Sequence, residues 1–209
     1  MVFEYLEHDL SGLLSTKSVQ FGQVRIKCYM KQLLDGVAYM HKQKILHRDI
    51  KGSNLLLDNK GRLKIADWGL ARPWSEGYQL GYTNNVITLW YRPPELLLGE
   101  KHYGLSVDMW SVGCLMAELL FGRAILPGEN EMDQLRLIYK LLGTPTTDTW
   151  PGYTKLPKIK TMDFARPLHG DLKERFQRYI QFFFKKKRIM FFEHILDFPP
   201  RRWIWYRSY

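Results

Sequence analysis

The order of apolar and polar residues predicts a long amphipathic helix near the start of the chain. Between Phe21 and His41, apolar side chains recur at spacings of three and four residues, at Ile26, Met30, Leu33, Val37 and Met40. Side chains at this spacing lie on one face of a helix of about five turns, with charged residues on the other face. We expect the apolar face to pack against a protein core rather than to hold a cofactor.

The same pattern predicts two more helices and a hairpin. Residues Val107–Gly122 are apolar nearly all round, which is typical of a buried helix, and Glu131–Leu142 has the pattern of a second helix. Leu55–Leu57 and Leu63–Ala66 flank the polar Asp58–Gly61 turn, so they are predicted to form two short strands.

Composition narrows the class of protein. With 209 residues, 45% of them hydrophobic, the chain can bury the core of one sizeable domain or of a large piece of one. Cys28 and Cys114 form no CxxC pair, which argues against a disulfide framework or a zinc site. Acidic residues stand where a signal peptide has basic ones, and Glu118 interrupts the best membrane-span candidate. We therefore expect a soluble intracellular protein, nuclear or cytoplasmic, with no membrane partner.

The net charge of +10 is concentrated near the C-terminus. From Lys155 onward there are 14 Lys and Arg against 5 Asp and Glu, so +9 of the total lies there. A basic segment can bind nucleic acid or acidic partners, and it can equally be a solvated face or sequence outside the ancestral reading frame. Because no recognisable binding motif accompanies the charge, nucleic acid is not the expected partner.

Candidate chemistry is carried by two short motifs, HRDIKGSN at residues 47–54 and DWG at residues 67–69. Phosphoryl transfer needs a carboxylate to orient the attacking hydroxyl, a cation to offset phosphate charge, and oxygen ligands for magnesium. Asp49 and Lys51 provide the first two, and the Asn54/Asp67 pair provides the third. A chance surface triplet would explain the HRD residues alone, but it does not explain the whole set at this spacing.

These motifs resemble the catalytic and metal-binding loops of protein kinases, with Trp68 where Phe is usual. The Lys two residues after Asp49 is the serine/threonine-kinase form. VITLWYRPPE at residues 86–95 is similar to a run that is highly specific for the cyclin-dependent kinase group, and LGTP at residues 142–145 also matches that group.

The resemblance implies an α+β, mostly helical fold, the large lobe of a kinase beginning at the hinge. It covers residues 1–157, and residues 158–209 would be a divergent basic tail or a degenerate remainder of that lobe. The implied activity is ATP-dependent phosphorylation of Ser or Thr before Pro, with ATP and Mg²⁺ as cofactors. Proteins with Ser/Thr-Pro sites would be the substrates and a cyclin the partner.

The resemblance also assigns roles to individual residues. The catalytic set would be Asp49, Lys51, Asn54, Asp67 and Thr88, of which Asn54 and Asp67 would bind the metal. The site for proline after the phosphoacceptor would be shaped by Val86, Ile87, Trp90 and Arg92. Asp108, inside a buried helix, would be costly unless satisfied, and the matching family residue braces the catalytic-loop backbone.

The first residues resemble the last strand of the kinase small lobe and the hinge. Met1–Tyr5 is rich in β-branched and aromatic residues and is predicted to form a short strand. The resemblance implies a nucleotide site built from Phe3, Glu4, Leu6, Asp9 and Leu56. An ordinary strand and turn is the alternative for the hinge residues.

Residues between Asp67 and Glu95 resemble an activation loop, Gly-rich and polar in the middle and therefore expected to be mobile. Thr83 matches the position that cyclin-dependent kinases have phosphorylated, and an unmodified surface threonine is the alternative. Arg48 and Arg72 match two of the family's three phosphate-binding arginines.

The chain departs from the family pattern at both ends. It contains no GxGxxG and no Val-Ala-x-Lys, and the cyclin-contacting helix is missing, so we expect the chain alone to be inactive as a kinase. A catalytically dead binding module that docks substrates or kinase partners is the alternative function. Residues 182–188 do not look like a kinase helix, and whether Arg201 or Arg202 pairs with Glu95 is open.

Overall fold

The computed structural model of the protein describes residues 4–16, 19, 21–77, 80–162 and 166–183. Its α-helices are α1 (Leu10–Ser15), α2 (Gln23–Lys42), α3 (Pro94–Leu97), α4 (Ser106–Phe121), α5 (Glu131–Leu142) and α6 (Leu172–Phe183). Short 3₁₀ helices span Gly52–Asn54, Leu89–Tyr91 and Tyr153–Lys155. In this described part, no helix combines the length and the apolar character needed to cross a bilayer.

The strands are short and form two small sheets. They are β1 (His8–Asp9), β2 (Ile45–Leu46), β3 (Leu55–Leu57), β4 (Leu63–Ile65) and β5 (Arg72–Pro73). The first sheet has the order β1-β3-β4 and the second pairs β2 with β5, all antiparallel. The fold is therefore α+β and mostly helical, as predicted.

The core lies around α4, which is buried on nearly every side. Its end is set by Gly122, whose φ of 69° is a left-handed conformation that glycine adopts without strain. Helix α2 packs against α4, β2 and β4, and the residues of its predicted apolar face are all buried: Ile26, Met30, Leu33, Val37 and Met40. Fully burying one such side chain contributes about 1.5–3 kcal/mol, so this interface holds the helical layer together.

The predicted hairpin is present, and its turn is fixed by one side chain. Leu55 pairs with Ile65 and Leu57 with Leu63. In the turn, Asp58 Oδ1 accepts hydrogen bonds from Lys60 N at 2.9 Å and from Arg62 N at 2.8 Å. The hairpin follows directly on residues 47–54, so it links that motif to the DWG residues.

The prediction of a strand at Met1–Tyr5 is wrong for Glu4 and Tyr5, the two of these residues that the structure describes. Glu4 and Tyr5 are outside any strand, Met1–Phe3 lie outside the described residues, and the first strand is His8–Asp9. A strand forms only where it can hydrogen-bond to a neighbouring strand, and the residues that pair with β3 are His8 and Asp9. Tyr5 is 85% exposed instead.

Residues 166–176 pack on the helical layer and continue the fold beyond residue 157. Thr144 N donates to Leu168 O at 2.9 Å, and Asp171 N donates to Leu141 O at 3.0 Å. Phe176, in α6, is 2% exposed and meets Phe121 edge to face with ring centroids 5.0 Å apart.

Candidate active site

The backbone of the HRD motif is fixed by one buried carboxylate. Asp108, in α4, is 1% exposed. Its Oδ1 accepts a hydrogen bond from Arg48 N at 2.8 Å, and its Oδ2 accepts one from His47 N at 3.0 Å and lies 2.9 Å from His41 Nε2. Burying a carboxylate is tolerable only when hydrogen bonds replace its water. These three donors do so, and they brace the loop as expected.

Asp49 lies at the centre of a cluster of polar side chains. Its Oδ1 accepts a hydrogen bond from Thr88 Oγ1 at 2.9 Å, and its Oδ2 accepts from Lys51 Nζ at 2.8 Å and from Asn54 Nδ2 at 2.9 Å. Lys51 Nζ also donates to Thr88 Oγ1 at 3.0 Å. The structure therefore brings together four of the five residues predicted to be catalytic, although Thr88 comes from a distant loop.

The cluster keeps Asp49 ionised. Burial alone would raise the pKa of Asp49, but hydrogen bonds from Lys51, Thr88 and Asn54, together with the Lys51 charge, hold the pKa below its usual value. At neutral pH the group is therefore a carboxylate, which is the form that can accept the hydrogen of an attacking hydroxyl.

His47 is a structural residue of the loop. Its Nε2 lies 3.1 Å from Ala66 O, and its Nδ1 accepts a hydrogen bond from Asp49 N at 3.3 Å. Because a carbonyl oxygen only accepts, Nε2 carries the proton. Burial lowers the pKa of His47 despite the nearby Asp108 charge, so the ring is neutral at physiological pH.

Asn54 and Asp67, the two residues predicted to bind magnesium, are linked by a backbone hydrogen bond next to Asp67 and both carry side-chain oxygens. Ala66 N donates to Asn54 O at 2.9 Å, and the Asn54 amide nitrogen is held by Asp49, which leaves its Oδ1 on the other side of the amide. Asp67 has a φ of 58° and is exposed. Mg²⁺ prefers such oxygen ligands and completes its shell with water and phosphate oxygens. Among the described residues no group of three or more His, Cys, Asp or Glu could hold a metal.

Trp68 is accommodated where the related motif has Phe. Its ring meets His47 edge-on with centroids 4.9 Å apart, and its Nε1 donates to Ile65 O at 3.2 Å. Phe has no such donor, so this hydrogen bond is specific to the DWG form of the loop.

The predicted proline site, formed by Val86, Ile87, Trp90 and Arg92, has an unusual backbone. Ile87 has a φ of 66°, which is costly for a β-branched residue, and its carbonyl accepts a hydrogen bond from Arg92 Nε at 3.1 Å. Val86 and Ile87 are buried, whereas Trp90 is 43% exposed and anchored by its Nε1 to Gly128 O at 3.1 Å. Arg48, Asp67 and Ile87 are three of the four non-glycine residues with positive φ in the described ranges, so backbone strain is concentrated at this site.

Thr83 is connected to Arg48 through a residue that the sequence did not reveal. Tyr103 OH donates to Thr83 O at 2.6 Å and accepts from Arg48 Nη1 at 2.9 Å. Arg48 is 2% exposed, while Arg72 is exposed and its Nη1 donates to Ala71 O at 2.7 Å. No local sequence signal marks Tyr103, because its role depends on contacts to residues far away in the chain.

The described residues of the predicted nucleotide site lie along β1 and β3. Asp9 pairs with Leu56 across the sheet, and Asp9 Oδ1 also caps α1 by accepting from Gly12 N at 2.9 Å. Glu4 is exposed and paired with Lys64, Leu6 is half-buried, and Phe3 lies outside the described residues. The nucleotide-binding role of these residues stays a prediction.

Glu95 gives the protein a distinctive pH dependence. Burial raises the pKa of this carboxyl from 4.5 to about 7, and the nearby Glu100 adds to the effect. The folded state therefore binds the proton more tightly than the unfolded state does, so stability that is present below pH 4.5 is lost as the pH rises through about 7. Burial also raises the pKa of Glu118, so Glu118 acts in the same direction, whereas burial lowers the pKa of His47, which acts in the opposite one.

We expect Glu95→Gln to be more stable than the wild type at pH 8 and closer to it at pH 4.5. Urea unfolding of both proteins at several pH values measures this difference. If the wild type instead becomes more stable than Glu95→Gln as the pH rises, the ionised Glu95 side chain must be paired with a cation. Arg201 and Arg202, the two predicted partners, lie outside the described residues.

Comparison with known proteins agrees with this geometry. The family model for the protein kinase domain matches residues 1–198. Cyclin-dependent kinase C-2 of Arabidopsis thaliana is 55% identical over 179 residues, which cover 86% of this chain and 35% of the relative. Cyclin-dependent kinase C-1 of Oryza sativa subsp. japonica is 56% identical over 179 residues, which cover 86% of this chain and 34% of the relative. The chain thus spans about a third of the length of these curated relatives.

Solved structures agree as well. The crystal structure of the yeast RNA Pol II CTD kinase CTDK-1 complex superposes with a TM-score of 0.86 at 45% identity, covering 93% of this chain and 63% of that one. The CAK complex of Chaetomium thermophilum bound to ATP-gamma-S superposes with a TM-score of 0.78 at 45% identity, covering 84% of this chain and 54% of that one.

Proposed function

Because the chain belongs to the protein kinase family, and within it to the cyclin-dependent group, we propose that it carries the substrate-binding and catalytic-loop half of a proline-directed serine/threonine kinase. The observation that carries this proposal is the Asp49 cluster, in which both carboxylate oxygens are fixed by Lys51, Thr88 and Asn54. Catalysis of phosphoryl transfer depends mainly on such positioning and electrostatics.

Each residue of the cluster has a distinct part in the proposed reaction. Asp49 accepts the hydrogen of the substrate hydroxyl and aims its oxygen at the terminal phosphate. Lys51 provides positive charge beside that phosphate, and Thr88 keeps Asp49 in the required rotamer. ATP is the proposed phosphate donor, and Asn54 with Asp67 would hold Mg²⁺, which offsets the charge of the phosphates when it is bound.

Selectivity for proline follows from the Ile87 backbone. The carbonyl of Ile87 is turned toward Arg92 and accepts its hydrogen bond. The backbone N–H of a substrate residue bound beside Ile87 would therefore lack this carbonyl as an acceptor. An unsatisfied N–H costs about 1–3 kcal/mol, whereas proline has no N–H to satisfy. We therefore propose that the residue after the phosphoacceptor is proline.

A binding function without turnover is the second candidate, and the Arg92–Ile87 contact at the predicted proline site favours it. The 209 residues contain neither a Gly-rich loop nor a Val-Ala-x-Lys motif, and each lost charged contact to the transferring group typically costs on the order of 10²–10³ in rate. We propose that this polypeptide alone binds Ser-Pro peptides and transfers phosphate at a negligible rate.

Two assays on the purified chain test both parts. A labelled Ser-Pro peptide should bind more tightly than the matching Ser-Ala peptide by fluorescence anisotropy, and [γ-³²P]ATP should give no measurable incorporation into either. Incorporation that disappears in Asp49→Asn would contradict the proposed inactivity and support an autonomous enzyme. Equal binding of the two peptides would contradict proline selectivity.

The partners are proposed from the same relationships. A cyclin is the proposed regulatory partner, because the relatives that match are cyclin-dependent kinases. The RNA Pol II CTD is a proposed substrate, because the yeast complex that superposes on this chain is an RNA Pol II CTD kinase. We also propose that Thr83 is phosphorylated, with Arg48 and Arg72 as ligands of the phosphate, and that the protein acts in the nucleus or cytoplasm.

A further inference from the structure

A carboxylate next to the predicted proline site is shared by two cations. Glu131, the first residue of α5, accepts a hydrogen bond from Arg92 Nη1 at 2.8 Å through Oε1 and another from Lys158 Nζ at 2.8 Å through Oε2. The Arg92 side chain is 11% exposed, whereas those of Glu131 and Lys158 are 36% and 40% exposed. Neither Glu131 nor Lys158 belongs to the site predicted from the sequence.

Arg92 depends on Glu131 for its position. Burial lowers the pKa of the Arg92 guanidinium, and the Glu131 charge and hydrogen bond oppose that effect. The guanidinium is a rigid planar fork, so the Nη1–Glu131 contact also fixes where Nε points. Arg92 Nε donates to Ile87 O and so keeps this carbonyl turned away from a bound substrate. A change at Glu131 would displace Nε and release the carbonyl.

Lys158 is held in place by other contacts and can therefore fix Glu131. Its backbone N donates to Leu98 O at 2.9 Å. Its Cγ lies 3.2 Å from the point where a Cβ on Gly99 would stand, so the lysine stem packs closely against that glycine. Glu131 has a cation on each of its two oxygens, which limits the rotamers that its side chain can adopt.

We infer that Glu131 and Lys158 are positioning residues for proline selectivity, acting in the order Lys158, Glu131, Arg92 and Ile87 carbonyl. This inference rests on the proposed function. The competing explanation is that the Lys158–Glu131 pair is an ordinary half-exposed ion pair. Such pairs affect stability slightly, and they have no effect on which residue follows the phosphoacceptor.

The test measures selectivity rather than stability. Dissociation constants are determined for peptides that differ only after the serine, with Pro, Ala or N-methyl-Ala at that position. N-methyl-Ala lacks the N–H but has no ring, so it separates the cost of an unsatisfied donor from contacts of the proline ring. The variants are Glu131→Gln and Lys158→Met, with Lys158→Arg as the conservative replacement. Lys160→Met is the matched control, because Lys160 is exposed and lies two residues along the same loop.

In the wild type, Ala should bind about tenfold more weakly than Pro or N-methyl-Ala, as expected for one unsatisfied N–H. Lys158→Met should reduce this preference about threefold, and Glu131→Gln should reduce it further. Lys158→Arg and Lys160→Met should keep it. Circular dichroism of each variant establishes that it is folded.

Each other outcome overturns the inference in a recognisable way. If the wild type prefers Pro and Lys158→Met and Glu131→Gln keep the full preference, the proposed function survives and the positioning role is wrong. If Lys160→Met loses the preference equally, the effect is one of general charge and the role is also wrong. If the wild type itself does not distinguish Pro from Ala, proline selectivity fails and the positioning role fails with it.

Discussion

Replacing Asp108 with alanine is expected to lower the free energy of unfolding by about 4 kcal/mol. The carboxylate is 1% exposed and accepts bonds from the backbone N–H groups of His47 and Arg48. Removing it leaves these donors, and His41 beside them, without an acceptor in the core. Because whole domains are stable by only about 5–15 kcal/mol, this single change should remove a large share of the total.

Urea unfolding followed by circular dichroism measures the effect, and Asp35→Ala is its matched control. Asp35 lies on the exposed face of α2 in an ion pair with Lys31, where the two side chains are 64% and 76% exposed. Exposed pairs contribute about 0–1 kcal/mol, so this variant should unfold close to the wild type. An Asp108→Ala variant as stable as Asp35→Ala would show that the loop backbone does not depend on this carboxylate.

Helices α2, α4 and α5 were predictable because their signal is local, whereas α1, α3 and α6 were not predicted. The apolar period in α2 and the continuous apolar character of α4 each specify a helix and the face it buries. The first strand was not predictable in the same way. Residues His8–Asp9 carry no strand pattern, and they are a strand because β3 pairs with them.

The clustering of Asp49, Lys51 and Asn54 was predictable from motif spacing, but the contacts that support it were not. Asp49, Lys51 and Asn54 lie within one short loop, and a motif match places them together. The left-handed backbone of Ile87 contradicts the preference of β-branched residues, so only tertiary contacts can impose it. Tyr103 and Lys158 act through partners that are 20 and 27 residues away, which no local pattern reports.

The loop at Gly128, beneath Trp90, is packed so closely against α5 that one added methyl group should disrupt it. A Cβ on the buried Gly128 would lie 2.7 Å from Gln134 Cα and 2.8 Å from Gln134 N. These atoms belong to the backbone of α5 and cannot rotate away. Gly128 N also donates to Gln134 Oε1 at 3.0 Å, and Gly128 O accepts from Trp90 Nε1 at 3.1 Å, so any shift of this loop strains both contacts.

We expect Gly128→Ala to lower the free energy of unfolding by about 3 kcal/mol, near the upper end for overpacking, and to weaken Ser-Pro peptide binding because Trp90 loses its anchor. Gly104→Ala is the matched control. A Cβ there would lie 3.7 Å from Trp74 Nε1, an ordinary contact, and the change should stay within about 1 kcal/mol. Urea unfolding and peptide anisotropy measure the two effects separately. A Gly128→Ala protein with wild-type stability and weakened peptide binding would place the effect at the Trp90 anchor alone. Wild-type behaviour in both assays would mean that the loop can move away from α5 at little cost.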